Sequence, residues 1–196
     1  PRASHFPRQF RQIPMNTQPT VNVNGTDYRW PLRPVVVVCI DGGDPAYLRQ
    51  FLADGSIPHI ARFVREGYAT VVDGSMPSFT CPNNMSIITG TPTSKHGISG
   101  NFYLDTRTWE PVVMTGPELL RGDSIVTKFA DAGAKVVSIT AKDKLRKQLS
   151  KGLDVSKGHV SFSSEFVEKC TLAENGIENA LQWLGMDKPG MYSMEL

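Results

Sequence analysis

From residue 34 onward the chain changes character. Val35 to Ile40 is an unbroken apolar run, VVVVCI, without the alternation of a half-exposed strand. Such a run predicts a strand buried on both faces, as in a parallel sheet. It stops at Asp41, Gly42, Gly43 and Asp44. Asp44 followed by Pro45 predicts an N-cap with proline at the first helical position, and Tyr47, Leu48, Phe51 and Leu52 then recur at helical spacing up to Gly55. A second helix is predicted over Pro58 to Glu66, closed by Gly67, and a second strand over Tyr68 to Val72. The outline is a βαβ unit.

Gly74 to Pro82 is a loop of small polar residues with Pro77 and Pro82, and it feeds a helix over Asn83 to Thr89 that ends at Gly90. Gly90 to Gly100 is rich in turn residues, and Phe102 to Met114 predicts a hairpin with Thr106 to Thr108 near its turn. A helix over Asp123 to Ala132 with Gly133 behind it, a strand over Lys135 to Thr140 and a basic helix over Lys142 to Leu149 resume the α/β alternation. A strand over Val160 to Phe162 and a helix over Glu174 to Leu184 complete the reading.

Composition narrows the class. At roughly 150 residues per domain, 196 residues make about one domain, long enough to bury a core without disulfides. Twenty-one Lys and Arg against 19 Asp and Glu leave a net charge of +2 with no block of like charge, which argues against a general nucleic-acid surface. The three cysteines, Cys39, Cys81 and Cys170, form no CxxC pair and point to a reducing, cytoplasmic setting. No apolar run approaches the ~18 residues of a membrane span. Residues 1–26 carry Arg2, Arg8 and Arg11 without an acid or the apolar stretch of a secretory signal. They are expected to be a flexible leader, partly non-native, ahead of one domain over residues 27–196.

Two side chains stand where open α/β sheets bind ligands. Asp41 ends the first apolar run, the carboxyl edge at which such sheets take their ligands. Asp44 is better placed to cap the helix at Pro45, which leaves Asp41 for a ligand. Thr80 precedes Cys81 and Pro82 at a helix start, where unpaired N–H groups stabilise an anion, although a lone threonine there is more often a cap than a nucleophile. His96 has no His, Cys or Asp at ligand spacing and reads as structural, and Cys81 reads as a small buried residue. Taken alone, Lys142, Lys144, Arg146 and Lys147 read as a solvated helix face and Asn101 as a turn residue.

The segments VVVVCIDGGDP (Val35 to Pro45), SMPSFTCPNNMSIITG (Ser75 to Gly90), KHGISGN (Lys95 to Asn101) and TAKDKL (Thr140 to Leu145), in that order, resemble the phosphonoacetate hydrolases of the alkaline phosphatase superfamily. The resemblance implies an α/β fold with a mostly parallel sheet flanked by helices. It also implies a two-zinc hydrolase that cleaves the C–P bond of phosphonoacetate, its small-molecule substrate, to acetate and phosphate; the charge balance and the lack of a long apolar run set the expectation of no nucleic-acid or membrane partner. By the same resemblance Asp41 is a metal ligand, Thr80 the zinc-bound nucleophile, Asn101 the holder of a phosphoryl oxygen, and Lys142 with Lys144 the grip on the anionic substrate. The chemistry is consistent: carbon leaves phosphorus only if its electrons are delocalised, and a cationic clamp on the neighbouring carboxylate favours that. Two lysines two residues apart serve one ligand only from a loop or a helix start, since along a regular helix they diverge.

Members of this family are longer and draw most of their zinc-binding aspartates and histidines from downstream. After Asn101 the sequence holds one histidine, His159, and no Asp followed by His at the next position or four positions on. Asp41 and Thr80 thus account for half of one zinc site, and Leu196 reads as an early end. Two other readings stand beside the first: a related phosphodiesterase or nucleotide pyrophosphatase that shares Asp41, Thr80 and Asn101 but need not have the lysine pair, and an inactive portion of such an enzyme.

Overall fold

The computed structural model describes residues 18–186. The expectations for the leader over residues 1–17 and for the end at Leu196 lie outside the described residues. The chain opens with a hairpin of β1 (Thr20–Val23) and β2 (Thr26–Arg29), joined by Asn24 and Gly25 at φ 51° and 89°. Two successive positive φ values make the turn whose twist matches paired strands, and Asn-Gly is the dipeptide that adopts it most readily. Val23 is 1% exposed, and within the stretch 1–26 expected to be a leader the residues from Thr20 on are folded and anchored. The anchor is Asn24, whose side-chain amide donates to the carbonyls of Thr89 and Asp123, both at 2.8 Å, and accepts from the Asp123 amide at 3.0 Å.

Helices α1 (Pro45–Ala53) and α2 (Pro58–Glu66) follow, and Asp44 caps α1 by accepting from the Ala46 amide at 2.6 Å. Both predicted strands that flank them are corrected. Val35–Ile40 and Tyr68–Val72 form no strand and pair with nothing among the described residues, and Val35, Val36, Val37, Val38 and Ile40 are 67–84% exposed. A strand exists through its ladder hydrogen bonds, so an apolar run without a neighbour is not one.

Helix α3 (Thr80–Thr89) starts three residues earlier than the apolar pattern predicts, with Pro82 inside its first turn. Proline is tolerated there because the first amides of a helix have no intrahelical acceptor. The short α4 (Thr93–His96) leads to a hairpin of β3 (Phe102–Asp105) and β4 (Glu110–Val113), as predicted. Helix α5 (Ile125–Asp131), strand β5 (Val137–Thr140), helix α6 (Asp143–Leu149) and strand β6 (Val160–Ser163) form the α/β half, in which β5 and β6 pair in parallel with Thr140 opposite Ser163. The helix predicted over Glu174 to Leu184 is two pieces, α7 (Leu172–Asn175) and α8 (Ala180–Leu184). Gly176 at φ 69° and Asn179 at φ 52° interrupt it, and a Cβ at Gly176 would collide with the His159 carbonyl oxygen.

One core holds most of this together. Cys81, Met85 and Ile88 of α3 pack with Ile98, Met114 and Leu120, and Tyr103 of β3 and Leu145 and Leu149 of α6 close over them. Every element that carries a candidate residue downstream of Asp41 is therefore fastened to the same apolar cluster.

Candidate active site

Asp41 sits at the tip of a tight turn. The Gly43 amide donates to the Ile40 carbonyl at 3.3 Å and Gly42 adopts φ 71°, a conformation in which a side chain would be strained. Because Asp44 is occupied in capping α1, the Asp41 carboxylate is left to face outward, and its Oδ2 accepts from the Thr80 hydroxyl at 3.0 Å. Thr80 is the first residue of α3, behind Phe79 as an N-cap that makes no side-chain cap bond.

The loop before Thr80 is held by the helix it feeds. Asn83 Oδ1 accepts from the Ser75 amide at 2.8 Å, while its Nδ2 donates to the Phe79 carbonyl at 3.0 Å and to Ser78 Oγ at 3.3 Å. Asn84 Nδ2 donates to the Thr80 carbonyl at 2.9 Å. Ser75 Oγ and Ser86 Oγ lie 2.7 Å apart, and Ser86 Oγ is 2.9 Å from His96 Nε2.

A serine against a histidine invites a nucleophile reading, which the hydrogen bonds exclude. His96 Nδ1 accepts from the Ile98 amide at 3.1 Å, so in the neutral ring the proton is on Nε2 and the histidine donates to Ser86 rather than taking its proton. Burial, helped by the nearby Arg121 charge, holds the His96 pKa below the ordinary 6.5. His96 is fully buried, the structural role its sequence setting indicated, and Cys81 is likewise buried in the core.

Asn101 follows the core residue Ile98 by three positions, and its carbonyl accepts from the Met114 amide at 2.8 Å, which fixes the mouth of the β3–β4 hairpin. Its side-chain Oδ1 is buried with no hydrogen-bond partner among the described residues. A buried polar atom left unpaired costs about 1–3 kcal/mol, which a site awaiting a polar ligand would explain.

Lys142 is the N-cap position of α6 and Lys144 lies in its first turn. Both line a cleft of about 370 Å³ with Thr115, Asp143, Lys147, Glu165 and Phe166. The helix start is where two lysines two residues apart can both border one cleft. Arg146 and Lys147 both pair with the buried Asp143 carboxylate, at 2.5 and 3.1 Å; Arg146 is thereby drawn off the solvated face that the spacing suggests, while Lys147 stays half-exposed on it. Burial raises the Asp143 pKa, but the bonds and charges of Arg146 and Lys147 outweigh it and leave the net shift downward.

Glu165 and Asp143 were not visible as partners in the sequence. Glu165 Oε2 accepts from the Asp143 amide at 2.8 Å, the Glu165 amide and Ser164 Oγ both donate to the Ala141 carbonyl at 3.2 Å, and Thr140 Oγ1 donates to the Lys142 carbonyl at 2.9 Å. The signal that finds them is topological. Once β5 and β6 are known to be parallel neighbours in this register, the residues that follow their carboxyl ends must meet.

The structure thus joins Asp41 to Thr80 by a hydrogen bond and places Lys142 and Lys144 in the lining of one cleft, and Asn101 Oδ1 bonds to neither pair. Two oxygen donors on one tetrahedral zinc at ~2.0–2.2 Å stand about 3.3–3.6 Å apart. The Asp41 and Thr80 oxygens, at 3.0 Å, reach that spacing with a small rotation, so this pair fits as part of a zinc site. Among the described residues there is no cluster of three or more His, Cys, Asp or Glu, so the remaining ligands are not provided by them. No helix among the described residues is long and apolar enough to cross a membrane.

The fold matches the phosphonoacetate hydrolase from Sinorhizobium meliloti 1021, solved in complex with phosphonoformate and in complex with phosphonoacetate. In both cases the TM-score is 0.85 and the sequences are 46% identical over 90% of this chain. The match spans 43% of the length of that enzyme. Residues 35–189 match the family model of the type I phosphodiesterase / nucleotide pyrophosphatases. With a matched region that takes in the Asp41 turn, Thr80, Asn101 and the lysine cleft, and with an α/β fold shared with a phosphonoacetate hydrolase, the chain belongs to the type I phosphodiesterase / nucleotide pyrophosphatase family.

Proposed function

We propose that this chain carries the nucleophile and substrate-gripping portion of a phosphonoacetate hydrolase. The observation that carries the reading is the Thr80 hydroxyl held on Asp41 at 3.0 Å, in a chain 46% identical to an enzyme of that name. Asp41 and Thr80 would hold a zinc ion, which when bound lowers the pKa of a hydroxyl toward neutrality and offsets charge on the phosphonate; a second zinc is expected from the family. Thr80 Oγ1 attacks phosphorus while Asp41 Oδ2 stands in reach of its proton. The new O–P bond forms as the P–C bond breaks, and the P–C electron pair moves into the carboxymethyl group. Lys142 and Lys144 stabilise the charge that gathers on the carboxylate, and the carbon takes up the proton that Thr80 gave to Asp41, by way of solvent, to give acetate. One water then hydrolyses the phosphothreonine, releasing phosphate and restoring the Thr80 hydroxyl. The Asn101 amide orients a phosphonate oxygen, which gives its buried side chain a partner.

The lysine cleft favours this substrate over the phosphodiesters and nucleotides of the wider family, because a carboxylate beside the phosphonate is what a second cationic contact recognises. Phosphate release from phosphonoacetate by the full-length protein with zinc tests the assignment. Release is expected from phosphonoacetate, with a phosphodiester turned over more slowly. The reverse preference would overturn it.

A further inference from the structure

Lysine is a poor choice for a helix N-cap. Its ammonium only donates, whereas the cap must accept from the first amides of the helix. Lys142 nonetheless occupies that position in α6 and makes no side-chain cap bond. The missing acceptor comes from 22 residues downstream, where Glu165 Oε2 takes the Asp143 amide at 2.8 Å. The same junction fastens the preceding residue, because the Glu165 amide and Ser164 Oγ both donate to the Ala141 carbonyl at 3.2 Å. Three bonds thus join the 141–143 turn to the segment that leaves β6.

Glu165 also lines the lysine cleft. An exposed carboxylate in a cleft meant for an anion works against binding unless it has another task. Capping is such a task, since one oxygen is engaged by a backbone amide and the chain is free to place lysines rather than a capping residue at the helix start. Asp143 gives a second restraint from below. Buried, and bonded to Arg146, Lys147 and more weakly to Ser163 Oγ at 3.4 Å, it ties the first turn of α6 to the end of β6.

We infer that Glu165 is a positioning residue, a helix cap supplied from the neighbouring strand end that sets Lys142 and Lys144 at the spacing needed to grip the substrate carboxylate. The inference rests on the phosphonoacetate reading above. It acts through the lysines, so its loss weakens binding of the carboxylate-bearing substrate more than it slows the bond-breaking step.

The test uses Glu165→Ala and Glu165→Gln in the full-length zinc-loaded protein, with amide hydrogen exchange at residues 141–144 alongside steady-state kinetics. Glu165 is exposed, so neither change opens the core, and Glu165→Met serves if the alanine variant does not fold. In Glu165→Ala the Asp143 amide should exchange faster and KM for phosphonoacetate should rise by roughly 2- to 30-fold, the range of a lost helix cap, with kcat changed far less. Glu165→Gln keeps an acceptor oxygen and should restore both. Unchanged Asp143 exchange in Glu165→Ala, or faster exchange with unchanged KM, would overturn the role of Glu165 alone. A wild-type protein that does not turn over phosphonoacetate would overturn the hydrolase reading and this role with it.

Discussion

Thr80 and Asp41, 39 residues apart in the chain, meet through one hydrogen bond of 3.0 Å between the hydroxyl and the carboxylate. The bond joins the first residue of a helix to the tip of a glycine turn, two places where the backbone leaves a side chain free to face outward. Neither residue is needed to cap its own helix, since Asp44 serves α1 and Phe79 occupies the cap position of α3.

That independence makes Thr80 separable from stability. Thr80→Ala removes an exposed hydrogen bond but no helix cap, at a cost of about 0.5–1.5 kcal/mol, and should abolish phosphate release from phosphonoacetate. Thr80→Ser keeps the oxygen and loses the methyl that restrains its rotamer, so partial activity should remain. Thermal melting beside a phosphate assay reads both effects. Near-normal turnover in Thr80→Ala would transfer the attack to water.

Asn83 should matter to both stability and rate. Asn83→Ala leaves the Ser75 amide without its 2.8 Å acceptor and releases the 75–79 loop that leads into Thr80. A loss of about 1–3 kcal/mol is expected in chemical denaturation, together with a fall in kcat at saturating substrate. A stable variant with wild-type kcat would show that the loop holds its shape without this side chain.

The lysine pair should discriminate between substrates. Lys144→Ala, and in the same way Lys142→Ala, should cost about 1.5–3 kcal/mol in kcat/KM for phosphonoacetate and less for a phosphate monoester without a carboxylate. Parallel kinetics on the two substrates measure the difference. Equal losses would assign the lysines to the phosphoryl group.

Acid should weaken the fold in two stages. His96 is held neutral, with its pKa below 6.5, so the unfolded chain binds a proton that the folded chain refuses. Stability is therefore complete above pH ~6.5 and declines as pH falls through that value toward the folded pKa. Asp143, with its pKa below 3.8, contributes stability that is complete above pH 3.8 and is lost only at lower pH, as the carboxylate paired with Arg146 and Lys147 protonates. Melting temperatures from pH 8 to pH 3 should show the first decline near pH 6.5, and replacing His96 with glutamine should remove it. A wild-type curve flat between pH 7 and pH 5 would count against the buried neutral imidazole.

Local chemistry made much of the architecture readable. Asp44 with Pro45, Gly67, Gly90 and the strand-to-helix step from Thr140 to Leu149 act within a turn or two of chain, and each appears where those residue types place it. The same locality explains the Asn-Gly turn of the first hairpin, a signal that was present but masked by its polar, proline-containing surroundings. Asp41, Thr80, Asn101, Lys142 and Lys144 were legible as candidates because family motifs surround them, and the Asp41 choice also followed from Asp44 being the better cap.

Most helices, the turns and the chemically able side chains can be read from local order alone, because caps, glycines and prolines act on neighbouring backbone. Which of those groups meet is settled by long-range pairing. The apolar runs Val35–Ile40 and Tyr68–Val72 specify a liking for burial but no partner, so they stay unpaired among the described residues. Glu165 carries no local sign of its place beside Lys142. It arrives there only because β5 and β6 pair in parallel and end together, Thr140 opposite Ser163, and a hydrogen bond between residues 22 positions apart forms only once that register has brought the two strand ends to one edge.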